Sequence, residues 1–191
     1  MTKDPIVQAG AAILREIAKP IPKKDFGSRK LHSLISKMSR ILADEEFGVA
    51  IAAPQVGQSL RLFVIAAKVF DSDTDDTRAA SATASASQGM VFINPEIIRL
   101  SRKKKEMSEG CLSVRGKYGS VIRHERASVK AQDIDGNIFT YHATGLVAHI
   151  FQHECDHLEG ILYIDKAEQL RDEAVKKPKQ TVGQEKNKET N

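Results

Sequence analysis

The chain has 191 residues, 41% of them hydrophobic and 28% charged, and a formal net charge of +4. That length and balance fit one globular domain with a substantial core. Trp is absent and aromatics make up only 5%, which argues against a base-stacking nucleic-acid platform. No apolar run reaches the ~18 residues of a membrane helix. The opening "MTKDPIVQAGAAILREIAKPIP" is too broken by charge and proline for a secretory signal. Two cysteines, Cys111 and Cys155, are too few for a disulfide framework, so a reducing cytoplasmic setting is expected.

In chain order, "GAAILREIA" at 10–18 predicts a short helical turn, and "PIPKKDFGS" a loop. Residues 29–45 predict a helix. Leu31, Leu34, Ile35, Met38, Ile41 and Leu42 recur at the spacing of one buried face. Arg61 to Ala67 reads as a strand. The stretch at 71–89, "DSDTDDTRAASATASASQG", is a Ser/Ala/Asp-rich insertion that cannot fill a core. A second strand is expected from Met90 to Asn94-Pro95. Residues 96–145 alternate, with a hairpin turn predicted at Asp135-Gly136-Asn137. In "GCLSV", Leu112 and Ser113 read as the start of a strand. From Thr144 the pattern turns helical, with Leu146, Ile150, His153 and His157 on one stripe and Gly160 ending the helix. The "ILYID" run is apolar and β-branched. The start of "AEQLRDEAVKK" predicts a short helix. We expect one catalytic domain over 1–170 and a basic, disordered tail over 171–191.

The chemistry concentrates in "QHECDHLEG" at 152–160. Residues four apart on a helix are neighbours, with Cβ atoms about 5–6 Å apart, so His153 and His157 can share one cation. Glu154 follows the first ligand and points aside, within reach of a metal-bound water. This is the H-E-x-x-H arrangement of two ligands and a general base. A bound metal lowers the pKa of its water toward about 7.

The third ligand has several candidates. The metzincin pattern requires a histidine where Tyr163 stands. A zincin would use a downstream glutamate, with Glu159, Glu168 and Glu173 available; Glu159 is too close to the helix pair. Cys111 offers a soft ligand for a Cys-His-His set with one open position. Cys155 lies about 200° around the helix from His153 and belongs in the core. His149, one turn before His153, reads as lining or surface. His32, His124 and His142 read as structural or exposed.

Three segments, "GVAIAAPQVG" at 48–57, "EGCLS" at 109–113 and "QHECDHLEG" at 152–160, together resemble the motifs of the peptide deformylases. The likeness extends over roughly residues 5–167. It implies an α+β fold, mostly antiparallel sheets packed around a central metal-bearing helix. It implies a hydrolase that removes the formyl group from N-formylmethionine of newly made polypeptides. By the same resemblance Cys111, His153 and His157 bind Fe²⁺, Glu154 is the general base and acid, and Gln55 with the Leu112 N–H stabilises the oxyanion. The residue types alone also admit Zn²⁺, Ni²⁺ or Co²⁺. Gly48, Ala50 and Ile51 are expected to flank the bound peptide, and Ile150 with Gly110 to line the methionine pocket. Asp156 is expected to be structural.

Ala50 stands where the family usually has glycine, and "RGKY" at 115–118 replaces a stretch that often carries a substrate-facing arginine. Arg115 and Tyr118 are both candidates for that contact. The substrates are expected to be nascent formylated peptides, and the basic tail is a candidate ribosome contact. Rival readings are a zincin-type endopeptidase, an inactive deformylase-like protein and a nucleic-acid-binding module.

Overall fold

The computed structural model describes residues 4–71 and 89–172. The 71–89 insertion, apart from its two ends, and the chain beyond Asp172 lie outside the described residues. A strand at Glu168–Asp172 crosses the boundary expected at 170.

Helix α1 spans Arg29–Asp44, and Ser28 caps it by accepting a hydrogen bond from the Leu31 N–H. Its buried face is Leu31, Ile35, Met38, Ile41 and Leu42, with Leu34 half-buried at the margin. Strands β1 (Ala50–Ala52), β2 (Leu62–Ile65), β3 (Met90–Leu100), β6 (Arg126–Gln132) and β7 (Ile138–Thr144) form one sheet in the order β1-β2-β3-β6-β7. Between β2 and β3 comes a short helix, α2 (Ala67–Asp71). Strands β4 (Lys104–Cys111), β5 (Val114–His124) and β8 (Glu168–Asp172) form a smaller sheet in the order β4-β5-β8. All pairings within both sheets are antiparallel. Helix α3 (Gly145–Leu158) packs on the large sheet and also touches β5.

The two-residue period of a strand explains how one sheet serves two cores. Phe63 and Ile65 of β2 face α3, whereas Leu62 and Val64 face α1. Both faces are covered, so β2 reads as an unbroken apolar run. On the α3 side, Phe63 stacks on Phe92 with ring centroids 4.7 Å apart. Phe151 of α3 meets Phe92 edge-on at 5.0 Å and Tyr141 at 5.6 Å. These rings anchor the helix that carries the histidines.

Local details follow from residue type. In the β6–β7 hairpin, Asp133 Oδ1 accepts from the N–H groups of Asp135 and Asn137, and Gly136 takes the left-handed conformation at φ +88°. Gly160 follows α3 at φ +72°, where a Cβ would lie 2.6 Å from the Arg15 carbonyl oxygen. Only glycine fits that close approach.

Three expectations are corrected. Strand β3 passes through Pro95 to Leu100, because a shift of register between Ile93 and Glu96 absorbs the proline. Leu112 and Ser113 form a turn, so Cys111 ends β4 and β5 starts at Val114. "ILYID", to which the sequence reading assigned no element, contributes a 3-10 turn at Tyr163–Asp165. The segment expected as a short helix after Lys166 is β8, which pairs along β5 with Lys117 opposite Asp172.

Asn94 holds the β3 irregularity at φ +49°. Its side chain accepts from the Ile21 N–H and donates to the Ile21 carbonyl and to Gln132 Oε1, at 2.8, 2.9 and 3.0 Å. Asn94→Ala should destabilise the fold by roughly 2–3 kcal/mol, from lost hydrogen bonds and an alanine at positive φ. A lowered urea midpoint with unchanged m would verify this, and an unshifted midpoint would refute it.

Candidate active site and metal centre

Cys111 reaches the site from the end of β4, and His153 and His157 from one face of α3. One ligand atom from each lies within 4.8 Å of the others. Cys111 Sγ is 3.3 Å from His157 Nε2. One sulfur and two imidazole nitrogens converging at this spacing suit a divalent cation such as Zn²⁺ or Fe²⁺.

The orientation of His153 is set by a residue that sequence reading overlooked. Glu109 Oε2 lies 2.9 Å from His153 Nδ1, which leaves Nε2 for the cation. Glu109 is two residues before Cys111 on β4, so strand alternation puts both on one face. That spacing was the available signal. Glu109 is itself gripped by Arg123 of β5, which bonds both carboxylate oxygens and reaches Asp156 Oδ2 at 2.8 Å. Lys166 completes the network with 2.7 Å contacts to Asp156. Asp156 thus has the structural place expected of it.

Burial would push the Glu109 carboxyl up. Arg123, then His149 and His153, more than offset it and hold Glu109 well below the usual carboxylate range. Burial likewise disfavours a charged His153, but Cys111 and Glu109 outweigh it and raise the imidazole to about 10. His157 moves the other way, lowered by burial and by the charge of His153. Burial pushes the Glu154 carboxyl up to about 7, against the pull of His153 and Arg123. Glu154 Oε2 is buried and accepts no hydrogen bond from the described residues.

Glu154, Gln55, Leu112, Cys111 and His153 line one cavity of about 510 Å³ with Gly48, Ala50, Gly110 and Ile150. Gln55 is 2% exposed and sits in a 3-10 turn at Ala53–Val56. Its Oε1 accepts from the Ala52 N–H at 2.8 Å, so its NH₂ end faces Ser113 Oγ at 3.2 Å and Cys111 Sγ at 3.5 Å. The cavity touches β1 and β4, and each is an edge strand of its sheet. The exception is Ile51. Its side chain alternates away from Ala50 and is buried against the α1 side, so it lines no part of the cavity.

Arg115 and Tyr118 both line the cavity. Arg115 is tied to Asp4 and Glu45, at 2.9 and 2.7 Å. Tyr118 covers Gly110, where a Cβ would meet its ring at 2.7 Å. Cys155 is buried in the core. Of the zincin alternatives, Glu159 pairs with Arg61 at 2.6 Å, Glu168 belongs to β8, and Glu173 lies outside the described residues.

Glu109→Gln should weaken metal affinity roughly 10- to 100-fold while the chain remains folded, by loosening His153. Arg123→Met should cost about 3–5 kcal/mol of stability by stranding Glu109 and Asp156. Metal-chelator competition and urea unfolding measure the two effects. Unchanged affinity in the first variant or unchanged stability in the second would contradict the arrangement.

The sequence profile described as polypeptide deformylase matches residues 3–173. Peptide deformylase of Carboxydothermus hydrogenoformans is 37% identical over 169 residues, covering 86% of this chain and 93% of its own. That of Halothermothrix orenii is 39% identical, covering 89% and 97%. Among solved structures, peptide deformylase from Thermotoga maritima superposes with a TM-score of 0.70 at 32% identity, covering 86% of this chain and 97% of its own. A class I type b peptide deformylase from Acinetobacter baumannii, with Met-Ala-Ser bound, gives 0.70 at 33%, covering 85% and 96%. The chain belongs to the polypeptide deformylase family, metal-dependent hydrolases that remove the N-formyl group from newly made polypeptides.

Proposed function

We propose that Cys111, His153 and His157 hold the catalytic cation, that it is Fe²⁺, and that Glu154 moves the proton during deformylation. The observation that carries this reading is convergence. Cys111, His153, Glu154 with its unpartnered carboxylate oxygen and the NH₂ end of Gln55 meet at one cavity, with His157 buried directly behind Cys111 and His153. The choice of iron rests on the family resemblance, since the donor atoms also suit Zn²⁺, Ni²⁺ or Co²⁺.

When bound, the cation supplies Lewis acidity that makes hydroxide accessible near neutral pH. Glu154 accepts the proton that water loses as its oxygen bonds to the formyl carbon. Burial favours the protonated form of this carboxyl, so Glu154 can take that proton, hold it and give it up again. Glu154 then delivers it to the amide nitrogen as the C–N bond breaks, releasing formate and a free amine. Negative charge develops on the formyl oxygen. The Gln55 NH₂ group and the Leu112 N–H donate to it, and such a donor contributes about 2.7–4 kcal/mol to the barrier. The Ala52 N–H fixes the Gln55 amide with the donor end toward the reaction.

Substrate placement follows from the edge strands. An extended peptide adds to a free edge through main-chain hydrogen bonds. Gly48 and Ala50 flank that peptide, and Gly110 and Ile150 line the pocket for methionine. The Met-Ala-Ser complex of the Acinetobacter baumannii relative supports a peptide of this kind in this cavity. Such substrates emerge from ribosomes in the cytoplasm, where we place the enzyme. We assign the basic tail a role in ribosome docking, supported by its charge alone. Deleting residues 174–191 should reduce co-sedimentation with ribosomes, and unchanged binding would end that assignment.

The central test is formate release from formyl-Met-Ala-Ser by protein purified anaerobically with Fe²⁺. Glu154→Ala should retain its iron and lose roughly 10²–10⁴-fold in rate. Cys111→Ala should lose the metal itself. Release by Glu154→Ala at the wild-type rate would remove Glu154 from the chemistry. A full complement of metal in Cys111→Ala would overturn the ligand set. Zinc rather than iron in the anaerobically purified protein would overturn the choice of metal.

A further inference from the structure

His149 is not absorbed by the mechanism above. It lies one helical turn before His153 on α3 and is 4% exposed. Neither of its ring nitrogens has a hydrogen-bond partner among the described residues. The Glu109 carboxylate is near, with Oε1 3.9 Å from His149 Nδ1: close enough for His149 to help hold Glu109 ionised, but beyond hydrogen-bond reach. Both Glu109 oxygens are already engaged, by Arg123 and by His153. A buried polar group left unpaired costs about 1–3 kcal/mol, so an imidazole here requires explanation.

Its surroundings supply one. His149 lines the cavity together with Leu146, Ile150 and His153, while Val147, Ala148 and Phe151 of the same helix face the core. Both nitrogens lie just beneath the cavity wall, so an occupant of the cavity becomes a partner for His149 once the ring turns toward it. One helical turn is about 5.4 Å, which places His149 that far along the helix from His153. The group next to the formyl amide is the first side chain of the peptide. A purely apolar side chain would be better served by leucine or isoleucine at 149. A methionine thioether differs from its hydrocarbon counterpart in one respect, because its sulfur accepts a weak hydrogen bond. The protein ties down neither ring nitrogen, so the ring can turn its N–H toward that sulfur without breaking a hydrogen bond.

We propose that His149 is a specificity-determining residue, which donates an imidazole N–H to the thioether sulfur of the substrate's first residue. It discriminates methionine from an isosteric alkyl side chain. This rests on the placement of the peptide given under Proposed function.

The test compares formyl-Met-Ala-Ser with formyl-norleucine-Ala-Ser as substrates of the iron-loaded full chain. Norleucine keeps the length of methionine and replaces sulfur with a methylene. Wild type should favour methionine in kcat/KM by roughly two- to tenfold, the worth of one modest neutral hydrogen bond. In His149→Ile the ratio should fall to about one through loss on the methionine substrate. His149→Gln, which restores a donor, should recover part of the preference. Calorimetric binding of Met-Ala-Ser and norleucine-Ala-Ser reads the same preference without turnover, so a failure of the chemistry is told apart from a failure of His149. Equal preference in wild type and His149→Ile, by both rate and binding, would overturn the proposal. So would a wild type that binds the two peptides equally.

Discussion

The buried guanidinium of Arg123 is the contact on which the site depends. It joins β5 to β4 through Glu109 and to α3 through Asp156, so three elements of different origin meet on one cation. Burying such a group is not a net source of stability, because desolvation offsets most of the Coulomb gain. Its value lies in what happens when a member is missing, since a stranded charge is worse than none. The network therefore specifies a geometry more than it adds stability. That geometry includes the imidazole of His153, which Glu109 holds by Nδ1.

The arrangement of the site is the meeting of two periods. Helix α3 repeats every 3.6 residues and brings His149, His153 and His157 onto one face. Strand β4 repeats every two and brings Glu109 and Cys111 onto one face. A pair of proposed ligands four apart on the helix then meets a third from the strand. The residue that orients the helix ligand comes from that same strand, two positions away. A shift of β4 register by one residue would turn Cys111 and Glu109 away together. The β4–β5 ladder, seven residue pairs in unbroken register before the bulge at Gly110 and Cys111, holds that register.

Much of this was legible in the sequence because the signals were local. The α1 face, the β6–β7 hairpin and the extent of α3 each follow from spacing or turn chemistry within a short window. The Cys111, His153 and His157 cluster required the motifs to be read together, and the structure brings them within one site. What escaped reading was decided by distant partners. Pro95 looked like an end, yet Asn94 reaches Ile21 and Gln132 and carries β3 through it. The segment 168–172 has the composition of a helix, but β5 offered it an unpaired edge. Ile51 was assigned to the peptide from its neighbourhood in sequence, whereas alternation sends its side chain to the other core. Glu109 offered only its two-residue spacing from Cys111 and Arg123 offered no local sign of burial, since a lone acid and a lone base in strands usually face water.

Gln55 shows why the most constrained polar residues of this fold gather at the cavity. A side-chain amide has a donor end and an acceptor end, and a free one samples both. Here the acceptor end is occupied by the Ala52 N–H, three residues back in the same turn. The donor end then has a single direction, toward Ser113 and Cys111. That orientation is fixed before any substrate arrives, so the proposed role of Gln55 requires no reorganisation when charge develops on the formyl oxygen. His149 stands at the opposite extreme, buried to a similar degree but with both ring nitrogens uncommitted. A donor already fixed by the protein suits a charge that appears in the same place in every turnover. A donor left uncommitted suits a side chain that arrives with each substrate and leaves with each product. In the roles proposed for them, the two residues divide the cavity into a part organised for the reaction and a part organised for recognition.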